Sequence, residues 1–351
     1  MTDVMHEPSP NTILETRFKP AGQSTTLVIV FSQARIPSGK FGLERLFAKT
    51  QHACLFLNHV GNGWYMNQEA AIDAAIDGAI HAASPTRIIY YGASMGAYGA
   101  LVTGLRRQDG EIYAFGPEVP LGLLQSQSLE HIGLAARTAP SVAALLEASP
   151  PNHPVHIIFG AFDAVDVYSF NALNSLRNRN NIEILLVSSS HASHDHLYTI
   201  NVIRKLITTF TRDIRELLHE KQMPFDSSYE GLSLFASAGQ GDDVDLEVLA
   251  TLDNAGAGLL AAELLSQSGE TGRAVSLLKK WDAAITDDPV LANCPKRWRK
   301  KFPLLAVETL MSEGHHSQAT ELLSETMERF PIDDRMAELA SKLGIETPSG
   351  H

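Results

Sequence analysis

The stretch "IIYYGASMGAYGAL", Ile88 to Leu101, decides the fold. An apolar run of β-branched and aromatic residues breaks at Ser94, fenced by Gly92 and Gly96, and then resumes with small residues at helical spacing. The first half reads as a buried strand and the second as a helix that packs closely through its small face. A Gly-x-Ser-x-Gly turn joining them is tight enough to hold the serine in a strained backbone conformation, with its hydroxyl clear of the sheet. Two residues before and two after the serine, strand and helix nearly touch, so those positions must be small. The same turn aims the start of the helix at the hydroxyl. The Met95 N–H and the positive end of the helix dipole then face the point where an oxyanion would form.

Working outward, five more apolar runs share this character: Thr25 to Ser32, His52 to Asn58, Glu111 to Gly116, Pro154 to Gly160 and Ile182 to Ser188, with Thr86 to Gly92 leading into the turn. Each is continuous rather than alternating in polarity, as expected of strands buried on both faces of a parallel sheet. Helical periodicity fills the gaps. Ile72, Ile76 and Ile80 fall four apart, and Ser84-Pro85 ends that helix before the next strand. Strand and helix in alternation predict an open α/β sheet with right-handed crossovers. The run "HLYTINVIRKLITTFTRDIRELLHE" is expected to be one long amphipathic helix closing this domain near residue 221.

With the serine turn set between a buried strand and a helix, residues 21–221 resemble the α/β-hydrolase superfamily, whose members order a catalytic triad as serine, acid, histidine. The resemblance implies Ser94 as nucleophile. It implies an acid after the penultimate strand, where Gly160-x-x-Asp163-x-x-Asp166 offers two carboxylates. Asp163 is preferred by that spacing, and Asp166 fits the role of a helix cap. The base should follow the last strand, where "SSSHASHDHL" offers His191, His194 and His196. His191 is preferred, with His194 as the alternative and His196 in the first helical turn. The string His191 to Leu197 and the stretch "AFGPEVPL" (Ala114 to Leu121) also resemble bacterial α/β hydrolases associated with surface polysaccharides; the latter carries no evident chemistry of its own. The second oxyanion donor in this fold comes from the loop after the first long strand, here a backbone N–H near Ser32 or Gln33. Trp64 and Tyr65 lie just past another strand end, where they either contact substrate or pack the loop onto the core.

Residues 1–20 read as an N-terminal tail, and 222–252 as a linker with a leading helix. Residues 253–351 are expected to form a helical region with an internal repeat. "LLAAELLSQSGETGRAVSLL" (Leu259 to Leu278) aligns without a gap with "LLAVETLMSEGHHSQATELL" (Leu304 to Leu323), pairing Gly269 with Gly314 and Ala274 with Ala319. This resembles the tetratricopeptide repeat, a helix-turn-helix unit with that Gly-to-Ala spacing, although the first copy has its proline, Pro289, three residues late and neither has the usual tryptophan. The resemblance implies a surface for a protein partner.

Composition excludes other classes. A net charge of −12 argues against nucleic acid as a partner, and the one basic cluster, "CPKRWRKKF" (Cys294 to Phe302), reads as a solvated helix end or a local anionic contact. Two distant cysteines, Cys54 and Cys294, make neither a disulfide framework nor a metal-ligand spacing. The His-x-His-x-Asp-His zinc pattern would require a histidine where Ser193 stands, so no metal and no cofactor is expected. The first residues lack a basic start and an apolar core segment, and no run approaches the ~20 apolar residues of a membrane span, so a soluble, cytoplasmic protein is expected. The chemistry implied is cleavage of an ester or thioester with a small acyl group, on a glycan or metabolite. A non-catalytic adaptor in a secretion or polysaccharide pathway, built on the same fold and binding through the helical region, is the alternative.

Overall fold

The computed structural model describes residues 13–346. Seven strands form one sheet: β1 (Leu14–Lys19), β2 (Thr26–Phe31), β3 (Ala53–His59), β4 (Arg87–Ala93), β5 (Glu111–Phe115), β6 (Val155–Gly160) and β7 (Ile182–Val187), in the order β1-β3-β2-β4-β5-β6-β7. The six expected runs are β2 to β7, and every pairing among them is parallel. In β2, Leu27, Ile29 and Phe31 enter the core on one face while Val28 and Val30 enter the core on the other. Both faces are therefore covered by helices, which is why these strands are apolar throughout. Each such side chain stabilises the fold by about 1.5–3 kcal/mol relative to exposure. This is an α/β-hydrolase-type sheet, mostly parallel and open.

Residues 14–19 are not part of a tail. They form the antiparallel edge strand β1, in register with β3 from Leu14 opposite His59 to Lys19 opposite Cys54. The sequence "LETRFK" hides it because an edge strand is exposed on one side and half polar, lacking the continuous apolar signature of the interior strands. Lys19 fastens its end, donating from Nζ to the carbonyls of Phe47, Thr50 and His52 at 3.0, 2.8 and 3.2 Å.

The closing segment is three short helices, Ser193–Thr199, Val202–Ile207 and Ile214–His219, rather than one long one. The chain turns left-handed at Asn201 (φ 71°) and Phe210 (φ 54°), and Asp213 starts the last helix afresh by accepting from the Glu216 N–H. Apolar periodicity survives both breaks, since all three pieces pack on the same face of the sheet.

Beyond residue 225 the described chain is helical. Residues 222–252 hold two helices, Tyr229–Gly239 and Leu246–Thr251, where a linker and one helix were expected. Two helical hairpins follow, Ala255–Gln267 with Thr271–Asp287 and Lys301–Ser312 with His316–Arg329. The paired glycines Gly269 and Gly314 make the turns at φ 82° and 78°, and the paired alanines Ala274 and Ala319 are fully buried. The helical region does not stand apart from the sheet. Phe162, just past β6, stacks on Trp298 with ring centroids 5.3 Å apart, and Asn254 donates to the Ala161 carbonyl at 2.8 Å. Among the described residues no helix is long and apolar enough to cross a membrane.

Candidate active site

Ser94 stands between β4 and the helix Met95–Arg107 with φ 52° and ψ −122°, a conformation sparsely populated by any residue with a side chain. The flanking glycines make it possible. A Cβ on Gly92 would lie 2.1 Å from the Gly96 carbonyl oxygen, and one on Gly96 would lie 2.2 Å from that of Phe31. The Ser94 N–H donates to Phe115 O at 2.8 Å, tying the turn to β5. Its Oγ lies 2.9 Å from His191 Nε2.

His191 sits on the loop after β7, which passes so close to β6 that a Cβ on Gly160 would meet the Ser190 carbonyl at 2.2 Å. The other ring nitrogen, Nδ1, lies 2.7 Å from Asp166 Oδ1. Asp163, the acid expected from the Gly-x-x-Asp spacing, does something else. Its Oδ1 accepts the Val165 and Asp166 N–H groups at 3.1 Å each and caps the helix Ala164–Ala172. The two carboxylates stand in each other's expected places, Asp166 facing His191 and Asp163 capping the helix. Asp163 is the last extended residue before the helix, where a side chain folds onto the first turn; Asp166, inside that turn, reaches back to the strand end, and its Oδ2 accepts the Gly160 N–H at 2.7 Å.

Burial raises the Asp166 carboxyl above its ordinary range, and the facing imidazole pulls it back. Burial alone would lower His191, but the carboxylates of Asp166, Asp163 and Glu118 outweigh it and push the imidazole up to about 10. Glu118 belongs to "AFGPEVPL", a stretch whose sequence shows no chemistry of its own. It is 1% exposed, accepts the N–H groups of Gln127 and Ser128 at 3.0 and 3.1 Å, and is raised by burial while the His191 charge lowers it. A lone glutamate beside a proline gives no sequence signal of such a position.

The other two histidines point elsewhere. His194 Nε2 lies 2.8 Å from the Tyr91 hydroxyl, the ring set edge-on to Tyr91 and Phe115. His196 is buried against Ser189 Oγ at 3.1 Å, and desolvation pushes it down to about 4.

For the oxyanion, Met95 opens its helix, so its N–H has no intrahelical partner. Of the second pair of candidates, the Ser32 N–H is spent on Leu57 O at 2.9 Å. Among the described residues the Gln33 N–H donates to no protein acceptor. The Ser32 carbonyl and hydroxyl hold the loop, accepting from Tyr65 Oη at 2.9 Å and the Gly42 N–H at 2.8 Å. Tyr65 is thereby a packing residue, edge-on to Phe31, and Trp64 is fully buried beside it.

Asp163, Asp166 and His191 also bring three potential metal-ligand atoms within 4.8 Å of one another. The donor set fits a cation poorly, because most of its polar atoms are engaged: both Asp166 oxygens with His191 and Gly160, Asp163 Oδ1 with two N–H groups, and His191 Nε2 with Ser94. What the arrangement can do is pass a proton from hydroxyl to imidazole while the buried carboxylate holds the ring.

No family model matches the chain, and no curated protein sequence matches it. Solved structures do. The capsule O-acetyltransferase of Neisseria meningitidis serogroup A is 18% identical over 54% of this chain and 91% of its own, with a TM-score of 0.42. Est1E from Butyrivibrio proteoclasticus is 14% identical over 60% and 96%, with a TM-score of 0.41. The Gap123 glycosylation-associated complex of Streptococcus agalactiae is 18% identical over 59% and 47%, with a TM-score of 0.47. At these identities the likeness is one of fold alone.

Proposed function

We propose that this chain is a serine hydrolase that cleaves a carboxylic ester through an acyl-enzyme. One observation carries the reading: Ser94 Oγ, His191 and Asp166 form an unbroken relay, at 2.9 and 2.7 Å, on a serine held in the strained elbow conformation. Ser94 attacks the carbonyl while His191 Nε2 takes its proton. The negative oxygen of the tetrahedral intermediate faces the N–H groups of Met95 and Gln33. His191 returns the proton to the departing alkoxide, and water, activated by the same imidazole, releases the acyl group. An alcohol in place of that water turns hydrolysis into acyl transfer.

The acyl group is small. Between β5 and β6 the cap consists only of the short helices Gln127–Ile132, Gly133–Thr138 and Val142–Ala148. That cap is pinned to the body by Arg35 with Glu130 at 3.1 Å and by His131 against Trp64 at 5.9 Å between rings. A lid of this size suits an acetyl-like group on a glycan or metabolite better than a long acyl chain. The matched hairpins, with their glycine turns at the same place, support a tetratricopeptide-like region that engages a protein partner, compatible with catalysis in the same chain.

The test is labelling by a fluorophosphonate probe together with turnover of p-nitrophenyl acetate and butyrate, in wild type, Ser94→Ala and His191→Ala. Labelling and turnover should vanish in both variants, with acetate preferred over butyrate. A folded wild type that neither labels nor turns over sinks the hydrolase reading.

A further inference from the structure

One large cavity is not accounted for by the relay. It is an open groove of about 1180 Å³ between the loop and single helical turn that connect β2 to β3 and the closing helices Ser193–Thr199 and Val202–Ile207. It exists because the β2-to-β3 crossover carries only the four-residue helix Glu44–Phe47, too short to cover the sheet face on which it packs.

Its charge is the opposite of the molecule's. In a chain of net charge −12, the groove is lined by Lys40, Arg45, Lys49 and Arg204, all exposed, and among the described residues none of them has a carboxylate partner. Both acids that line it are already engaged, Glu44 with Arg17 at 2.7 Å and Asp195 with Arg297 at 3.3 Å. Four uncompensated cations on one concave surface concentrate anions there, against the field of the rest of the protein. The groove also shares a wall with the reaction centre. Gln33, whose N–H is the second oxyanion donor, lines it, with its own buried Oε1 unpartnered, and so does His194, three residues from His191.

We propose that this groove is an anion-binding subsite, which takes the phosphate- or carboxylate-bearing part of the substrate while the acyl group reaches Ser94 past Gln33. The substrate role rests on the serine hydrolase reading; the anion site does not. Lysine and arginine ends recognise either group, arginine in bidentate fashion, so the two sources share one chemistry.

The experiment uses the full chain and two double variants away from the relay, Arg45→Glu with Arg204→Glu and Lys40→Glu with Lys49→Glu. The second pair guards against misfolding, because Arg204 also lies over the Tyr198 ring at 4.2 Å. Calorimetric titration with tripolyphosphate and with trigalacturonate, at about 50 mM and about 500 mM salt, reads binding without reference to catalysis. At least one anion is expected to bind wild type at low salt, to weaken at high salt, and to bind both folded variants at least about tenfold more weakly. Which anion binds tells phosphate from carboxylate. The bound anion should also raise the KM for p-nitrophenyl acetate in wild type and not in the variants. No binding at low salt, or binding that both charge reversals leave unchanged, overturns the anion site. Binding that falls as expected in a wild type whose Ser94 takes no fluorophosphonate removes the substrate role together with the hydrolase reading.

Discussion

Asp166 holds His191 with one carboxylate oxygen and the Gly160 N–H with the other, both at 2.7 Å, from a fully buried position. Asp163, three residues earlier, holds only the start of its own helix. The two aspartates are thus separable by substitution. Asp166→Asn should lower turnover of p-nitrophenyl acetate by about 10³–10⁴, since the amide presents the wrong hydrogen-bonding group to Nδ1. Asp163→Asn, which keeps a capping side chain, should change turnover by no more than a few fold, and Asp163→Ala should cost about 1 kcal/mol of stability. The opposite ranking in kcat would return the acid to Asp163.

Three carboxylates acting on one imidazole set the pH dependence. His191 must be neutral to accept the Ser94 proton, so kcat/KM should climb through the alkaline range toward its raised value of about 10. Glu118→Gln removes one of the charges that raise it, and the rising limb should move to lower pH. For stability the sign is the reverse. A histidine raised on folding contributes stability that is complete below its unfolded value near 6.5 and is lost as pH rises toward about 10. Melting temperature should therefore fall over that window in wild type, and less steeply in Glu118→Gln. A rate profile that is flat above pH 7 in both proteins contradicts the assignment.

The elbow glycines test the close approach of strand and helix. Gly96→Ala places a methyl 2.2 Å from the Phe31 carbonyl oxygen, a backbone atom that cannot rotate away. The helix must shift, at a cost of about 1–3 kcal/mol, and the Met95 N–H moves with it. Chemical denaturation should show the loss of stability, and the surviving folded fraction should be defective in kcat more than in KM. Unchanged kcat in a destabilised protein separates helix position from catalysis.

How far the sequence reaches follows the physics of each element. The interior strands and the elbow were legible because burial on both faces, or steric exclusion of any Cβ, leaves few residues allowed. β1 was not, since an edge strand bearing "LETRFK" answers to hydrogen bonding with β3 rather than to burial. The placement of His191 beside Ser94 was legible from its distance to a strand end. The placement of Asp166 beside His191 was not, because a capping aspartate and a buried aspartate one turn apart carry the same letter, and only the helix start tells them apart. Glu118 was beyond reach altogether: its partners, the Gln127 and Ser128 N–H groups, are brought to it by the folding of the cap.

The helical region bears on the site through an aromatic stack. Trp298 lies at 15° to Phe162 and edge-on to Phe302, and Phe162 immediately precedes Asp163 and the turn that carries Asp166. The Phe162 N–H is bonded to Ser189 O at 2.9 Å, two residues before His191. The Asp166 loop and the His191 loop are therefore pinned to each other at the residue the tryptophan covers. Trp298→Ala should cost about 3–5 kcal/mol through the cavity it leaves. Freed of its cover, Phe162 can rotate, and hydrogen exchange at the Phe162 amide should rise. Turnover should fall well below wild type at temperatures where the variant is still fully folded, and Trp298→Phe, which keeps a ring against Phe162, should recover most of it. If Trp298→Ala melts early yet turns over normally while folded, the helical region braces the fold without holding the acid and base in register.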